Sequence, residues 1–202
     1  YCFGELTNLL LLKNLYETYR DEASFVDAME HCRSSWKLCV PGYKDIKSLL
    51  DQQNEDSHLK RLAGLTIAYG VYRVWQSWGI TPKCLIVQDW ESLYFALVVN
   101  GVCSIESALL SLKAEDCNPP LITATGSNVI PIILATTGEE CKLDQISNIL
   151  TNLRTSAKNN SIKMESVLNQ QSINILLNLN NKKFGTSSSL SLEIWSNEKD
   201  VS

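Results

Sequence analysis

Tyr72-Arg-Val-Trp-Gln-Ser-Trp-Gly79-Ile-Thr-Pro82-Lys-Cys84-Leu-Ile-Val87-Gln-Asp-Trp-Glu-Ser92 is the stretch on which the fold turns. It closes a long apolar-periodic run, breaks at a glycine and a proline, and then carries consecutive apolar residues. From His58 to Trp78 the positions Leu62, Leu65, Ile67, Ala68, Val71, Tyr72, Trp75 and Trp78 describe a strongly buried helix. Gly79 fits its C-terminal stop, and Pro82 follows, as helix endings often show. Cys84–Val87 is short, contains β-branched members and is flanked by a proline, which predicts a buried strand. Glu91–Asn100 then predicts a helix, ended by Gly101.

Working towards the N-terminus, residues 5–36 read as helix, with Leu9, Leu12, Tyr16, Tyr19, Phe25, Ala28 and Cys32 at three- and four-residue steps. The interruption at Asp21–Ser24 is either a kink or a second helix start, since Asp and Ser both cap well. Val40-Pro41-Gly42 breaks the pattern, and residues 43–52 carry Ile46, Leu49 and Leu50 on a second helical stretch. Towards the C-terminus, Ser104 is the expected cap of another helix, which Cys117-Asn-Pro-Pro closes. Val129–Ala135 is a second strand candidate, Asp144–Thr155 a helix, and Ile173–Leu179 a third strand. From Asn180 the chain turns polar, with Thr186-Ser-Ser-Ser as a linker before Leu190–Trp195. Helices alternating with short buried strands predict an α/β layer architecture.

Bulk properties exclude several function classes. The 202 residues suffice for one domain with a real core. Eighteen basic and twenty-two acidic side chains are interspersed, so the clustered basic face needed to grip nucleic acid is missing. Apolar runs such as Leu93–Val99 and Val129–Ala135 fall far short of the roughly 20 residues that span a bilayer. Seven cysteines, an odd number with no C-x-x-C pair, argue against a disulfide framework and for idle thiols in a reducing cytoplasm. His31 and His58 are too few to suggest a zinc site, and no metal or cofactor is expected. The start at Tyr1 suggests a segment of a longer polypeptide, and processing would give the same start.

Three stretches together resemble the acyltransferase (malonyl-CoA:carrier-protein transacylase) domains of polyketide and fatty-acid synthases. Leu15-Tyr16 followed by Phe25-Val-Asp-Ala-Met-Glu-His-Cys32 is similar to an early helix of that family. Tyr72–Pro82 resembles the segment leading into the family's nucleophile strand, and Tyr94–Leu109 the helix and capped turn that follow the nucleophile. Asn128-Val-Ile-Pro-Ile-Ile-Leu-Ala-Thr-Thr-Gly138 is similar to a late strand and turn. The resemblance implies a hydrolase-like large subdomain, a short parallel sheet flanked by helices, with the ferredoxin-like small subdomain missing. It also implies a truncated domain over residues 1–180 and a polar tail or linker, with a possible short final strand, over 181–202.

The same comparison implies that the chemistry has gone. The family's nucleophile stands in a G-H-S-x-G turn, where glycines permit strained torsions and expose the serine beside a helix N-terminus. Gln88-Asp89-Trp90-Glu91-Ser92 falls on that motif, so Trp90 replaces the serine, Asp89 the histidine, and Gln88 and Ser92 the glycines. Ser92 could serve only from a slipped turn, and no histidine follows His58 to act as its base. Glu115 falls where the family holds its carboxylate-binding arginine, and like charges repel. The early glycine-glutamine loop would fall at Phe3–Thr7, which lacks it.

Other residues read as bland. Tyr72, Trp75 and Trp78 are expected in the core, and Asp89 with Glu91 or Glu115 as solvated acids. Cys84 and Cys103 are expected to be packing residues. The sequence thus predicts an inactive domain of a polyketide or fatty-acid synthase, serving as spacer or docking surface. Its partners would be neighbouring synthase domains, an acyl carrier protein or a trans-acting acyltransferase. Two alternatives stay open: residual acyl transfer or thioester hydrolysis through Ser92 or a cysteine, and a non-catalytic module binding a carrier protein or acyl chain.

Overall fold

The structure, a computed structural model, describes residues 2–3, 9–40, 42, 45–51, 56–114, 129–135, 137–156 and 176–177. In chain order these form β1 (Cys2–Phe3), α1 (Leu9–Tyr19), α2 (Ala23–Cys39), α3 (Ile46–Asp51) and α4 (Ser57–Ser77). β2 (Leu85–Val87), α5 (Trp90–Val99), α6 (Ile105–Ala114) and β3 (Ile132–Leu134) follow. A 3-10 turn over Leu143–Gln145 leads into α7 (Ile146–Ser156), and β4 (Leu176–Leu177) comes last.

The strands make one small sheet in the order β3-β2-β1-β4, with every adjacent pair parallel. Leu85, Ile86 and Val87 face Ile132, Ile133 and Leu134 in register. All three β2 residues are buried, as a strand covered on both faces requires. The rest is mostly helical, and the α/β expectation holds at that level. Of the predicted third strand, residues 176–177 are strand and the remainder lies outside the described residues. The 180/181 boundary, Thr186–Ser189 and Leu190–Trp195 lie outside them too.

α4 is the central helix, packed by α1, α2, α5 and α6. Asp56 caps it by accepting from the His58 N–H at 2.8 Å. Its end is a Schellman motif: Gly79 at φ +78° lets its N–H reach the Gln76 carbonyl at 3.0 Å, while the Ile80 N–H reaches Trp75 at 2.9 Å. Leu62, Leu65, Ile67, Ala68, Val71 and Trp75 are buried as predicted. Tyr72 is half-buried, and Trp78 is a correction: its ring is 47% exposed, because it occupies the C-cap where the helix leaves the core. The α2–α4 crossing is close enough that a methyl group on Gly70 would sit 2.7 Å from the Phe25 ring.

The interruption near Asp21 is a second helix start. α1 stops at Tyr19, and α2 begins at Ala23 with Glu22 as an N-cap that makes no side-chain bond, so neither Asp21 nor Ser24 is the cap. α2 runs on to Cys39, beyond the expected end at residue 36, because Trp36 and Cys39 join the core. Ser104 does cap α6, its hydroxyl accepting from the Ser107 N–H at 3.1 Å.

Candidate functional site

In a parallel sheet all strand C-termini share one edge, and open α/β folds place their sites there. The Gln88–Ser92 turn leaves β2 at that edge and enters α5 directly. Asp89, in extended backbone at φ −135° and ψ 174°, is the N-cap of α5 and accepts from the Ser92 N–H at 2.7 Å. The Ser92 hydroxyl accepts from the backbone N–H of Gln88 at 3.0 Å and of Asp89 at 3.1 Å. It donates to the Asp89 carbonyl at 2.9 Å. A hydroxyl has one hydrogen and two lone pairs, and all three are committed to the backbone. Ser92 is also 2% exposed. This is a closed capping box, the arrangement that satisfies the orphan donors of a helix start.

Trp90 is the first residue of α5 and is buried, edge-on to Tyr94 with ring centres 6.2 Å apart. The guanidinium carbons of Arg61 from α4 and Arg154 from α7 lie 5.3 Å and 5.6 Å from its ring centre, within cation–π range. Glu91 is buried and meets Arg61, Oε1 to Nε at 2.9 Å. Burial, and next the Asp89 charge, push the Glu91 carboxyl up to about 7; Arg61 and hydrogen bonding to the ionised form pull the other way and lose. The expected solvated acids are therefore corrected: Asp89 is a half-buried helix cap and Glu91 a buried, paired acid.

Among the sequence-predicted residues, Gln88, Asp89, Trp90, Glu91 and Ser92 come together in one turn, whereas Glu115 lies outside the described residues. His31 pairs with Glu106 at 2.7 Å, linking α2 to α6, and neither histidine is a partner of the Ser92 hydroxyl. Cys84 and Cys103 are buried, as expected. Burial pushes the Cys103 thiol up to about 11 and the Cys32 thiol to about 12, the reverse of an activated thiolate. Among the described residues no group of His, Cys, Asp and Glu could hold a metal ion, and no helix is long and apolar enough to cross a membrane.

Arg61 and Arg154 were not anticipated. They lie far from the turn in sequence, and an arginine on a helix face carries no mark of which ring it will cover. The Asp89 cap was readable in principle, because an aspartate just before an apolar run is a helix-start signal.

Comparison with known proteins gives a distant relation. The chain is 28% identical over 99 residues to orsellinic acid synthase ArmB of Armillaria ostoyae, covering 45% of this chain and 4% of that protein. The orsellinic acid synthase armB of Armillaria mellea matches to the same extent, 28% over 99 residues. The match thus spans a small fraction of either synthase. No protein-family model and no solved structure matches the chain. These findings support a relation to a polyketide synthase.

Proposed function

We propose that this chain is an acyltransferase-like, hydrolase-type domain of a polyketide synthase that has lost its chemistry and serves as a folded spacer or docking surface. The observation that carries the reading is the closed turn at the sheet's C-terminal edge. Where an acyl-transfer site needs an exposed hydroxyl beside a base, Trp90 is packed inside and the Ser92 hydroxyl is spent on three backbone groups. Freeing Ser92 would uncap α5, at a cost of about 1 kcal/mol before any chemistry began. The distant relation to orsellinic acid synthases supports the synthase context.

The test is intact-protein mass spectrometry after incubation with malonyl-CoA and acetyl-CoA, beside an active acyltransferase. The expected outcome is no acyl adduct on this chain while the control labels fully. A stoichiometric adduct that vanishes in Ser92→Ala would overturn the reading and return the chain to the enzymes.

A further inference from the structure

Asn100-Gly101 is the sole Asn-Gly pair in the sequence, and the fold gives its side-chain amide a structural task. Asn100 is the C-cap of α5, half-buried, and it clasps the backbone of Ile130 with both ends of its amide. Nδ2 donates to the Ile130 carbonyl at 3.0 Å, and Oδ1 accepts from the Ile130 N–H at 2.7 Å. That pair of bonds copies one rung of a sheet ladder just before β3 begins. The next residue, Pro131, has no N–H to give and only accepts, its carbonyl taking the Leu85 N–H at 2.8 Å. One side chain thus ties the entry of β3 to the end of α5.

The same pair is chemically labile. A glycine nitrogen, with no Cβ beside it, is the least hindered backbone nucleophile for the Cγ of a preceding asparagine. The Gly101 nitrogen gives up its proton and bonds to Asn100 Cγ. The Cγ–Nδ2 bond breaks, and ammonia leaves with that proton. The succinimide so formed takes up one water and opens to aspartate or, through its other carbonyl, to isoaspartate. Water is the sole co-reactant, and Gly101 is exposed to it. Three contacts oppose the reaction in the closed fold: both amide ends are bonded to Ile130, and the Gly101 N–H is donated to the Val98 carbonyl at 3.0 Å.

We propose that Asn100-Gly101 is a spontaneous deamidation site gated by its own clasp on Ile130, and that its modification permanently releases the entry of β3. An aspartate has no N–H to donate and sets a charged oxygen against the Ile130 carbonyl, which loses its partner. An isoaspartate lengthens the main chain and carries the carboxylate out of register. Neither product returns to the amide when the strand closes again, so each opening carries a chance of a one-way change. The inference stands apart from the acyl-transfer reading and survives its failure.

The experiment incubates the full chain at neutral pH, in buffer and in urea below and above the unfolding midpoint. Peptide mass spectrometry maps aspartate and isoaspartate at residue 100, and amide hydrogen exchange is followed in parallel. Conversion in buffer should be at least about tenfold slower than in the denatured chain. Below the midpoint it should rise in step with exchange of the Ile130 and Leu85 amides and ahead of the α4 amides. Asn100→Asp makes the product directly, and Asn100→Ala removes the clasp without adding a charge. Both should raise Leu85 exchange about tenfold, with wild-type protection in α4 certifying the fold. Should either variant lose α4 protection, the urea series on the wild type decides alone. Conversion as fast in buffer as in denaturant, conversion that follows the α4 amides, or wild-type Leu85 exchange in either folded variant overturns the proposal.

Discussion

Glu91 is a carboxylate held in a buried place by one guanidinium, and its ionisation is where this fold meets pH. Its carboxyl stands at about 7, above the ordinary 4.5, so the folded chain holds a proton that the unfolded chain has released. Stability from that proton is fully present below pH 4.5 and is lost as pH rises through 7. Glu91→Gln cannot ionise, so it should match the wild type near pH 5 and exceed it in stability near pH 8. Urea unfolding at both values checks this; a constant difference between the two proteins would mean that Arg61 keeps Glu91 ionised throughout. The turn holding Glu91 was singled out in sequence by a family resemblance, but its partners were not. Which cation reaches Trp90 or Glu91 depends on how α4 and α7 cross α5, and no local pattern encodes a crossing.

Helix ends repeat one device. α5 ends as α4 does: Gly101 at φ +67° lets its N–H reach the Val98 carbonyl at 3.0 Å, and the Val102 N–H reaches Leu97 at 2.9 Å. Open space surrounds the Gly101 Cα, so a side chain there would meet no neighbour and only the backbone torsion would suffer. Gly101→Ala should therefore cost about 1 kcal/mol through the left-handed torsion alone. That lowers the midpoint by about 2–4 °C for a chain this size, read by calorimetry. An unchanged midpoint would show that the motif relaxes without penalty. Both glycine stops could be read from sequence because a helix end is a local event. The α1–α2 break could be placed but not typed, since Glu22 caps without a side-chain bond and leaves no residue signature. Trp78 was misjudged because periodicity extends a face past the last turn, whereas the core ends where the Schellman motif turns the chain away.

The core runs continuously from α1 through α4 and the sheet to α7 and includes Cys32, Cys39, Cys103 and Cys141, while Cys84 is buried just before β2. Cys32, Cys39, Cys84, Cys103 and Cys141 are all buried thiols, drawn from α2, α6's approach, β2's approach and the loop before α7. Their reaction with a water-soluble disulfide reagent therefore samples the opening of most of the molecule at once. Reaction needs a thiolate, and burial pushes Cys32 to about 12 and both Cys103 and Cys141 to about 11. Access and ionisation thus oppose attack together. Two of the chain's seven cysteines, Cys2 and Cys117, are outside that group. In native buffer at pH 8, at most two thiols should react within minutes, and all seven should react in denaturant. If the five open cooperatively, they should react at one common slow rate that rises with urea. A third fast thiol would identify an element that opens by itself. Cys141 would point to the loop before α7 and to a loose hold of Arg154 on Trp90, while Cys32 would point to the α2–α4 crossing. Rapid reaction of all five in native buffer would contradict close packing around them and, with it, the closed turn on which the proposed loss of acyl-transfer chemistry rests.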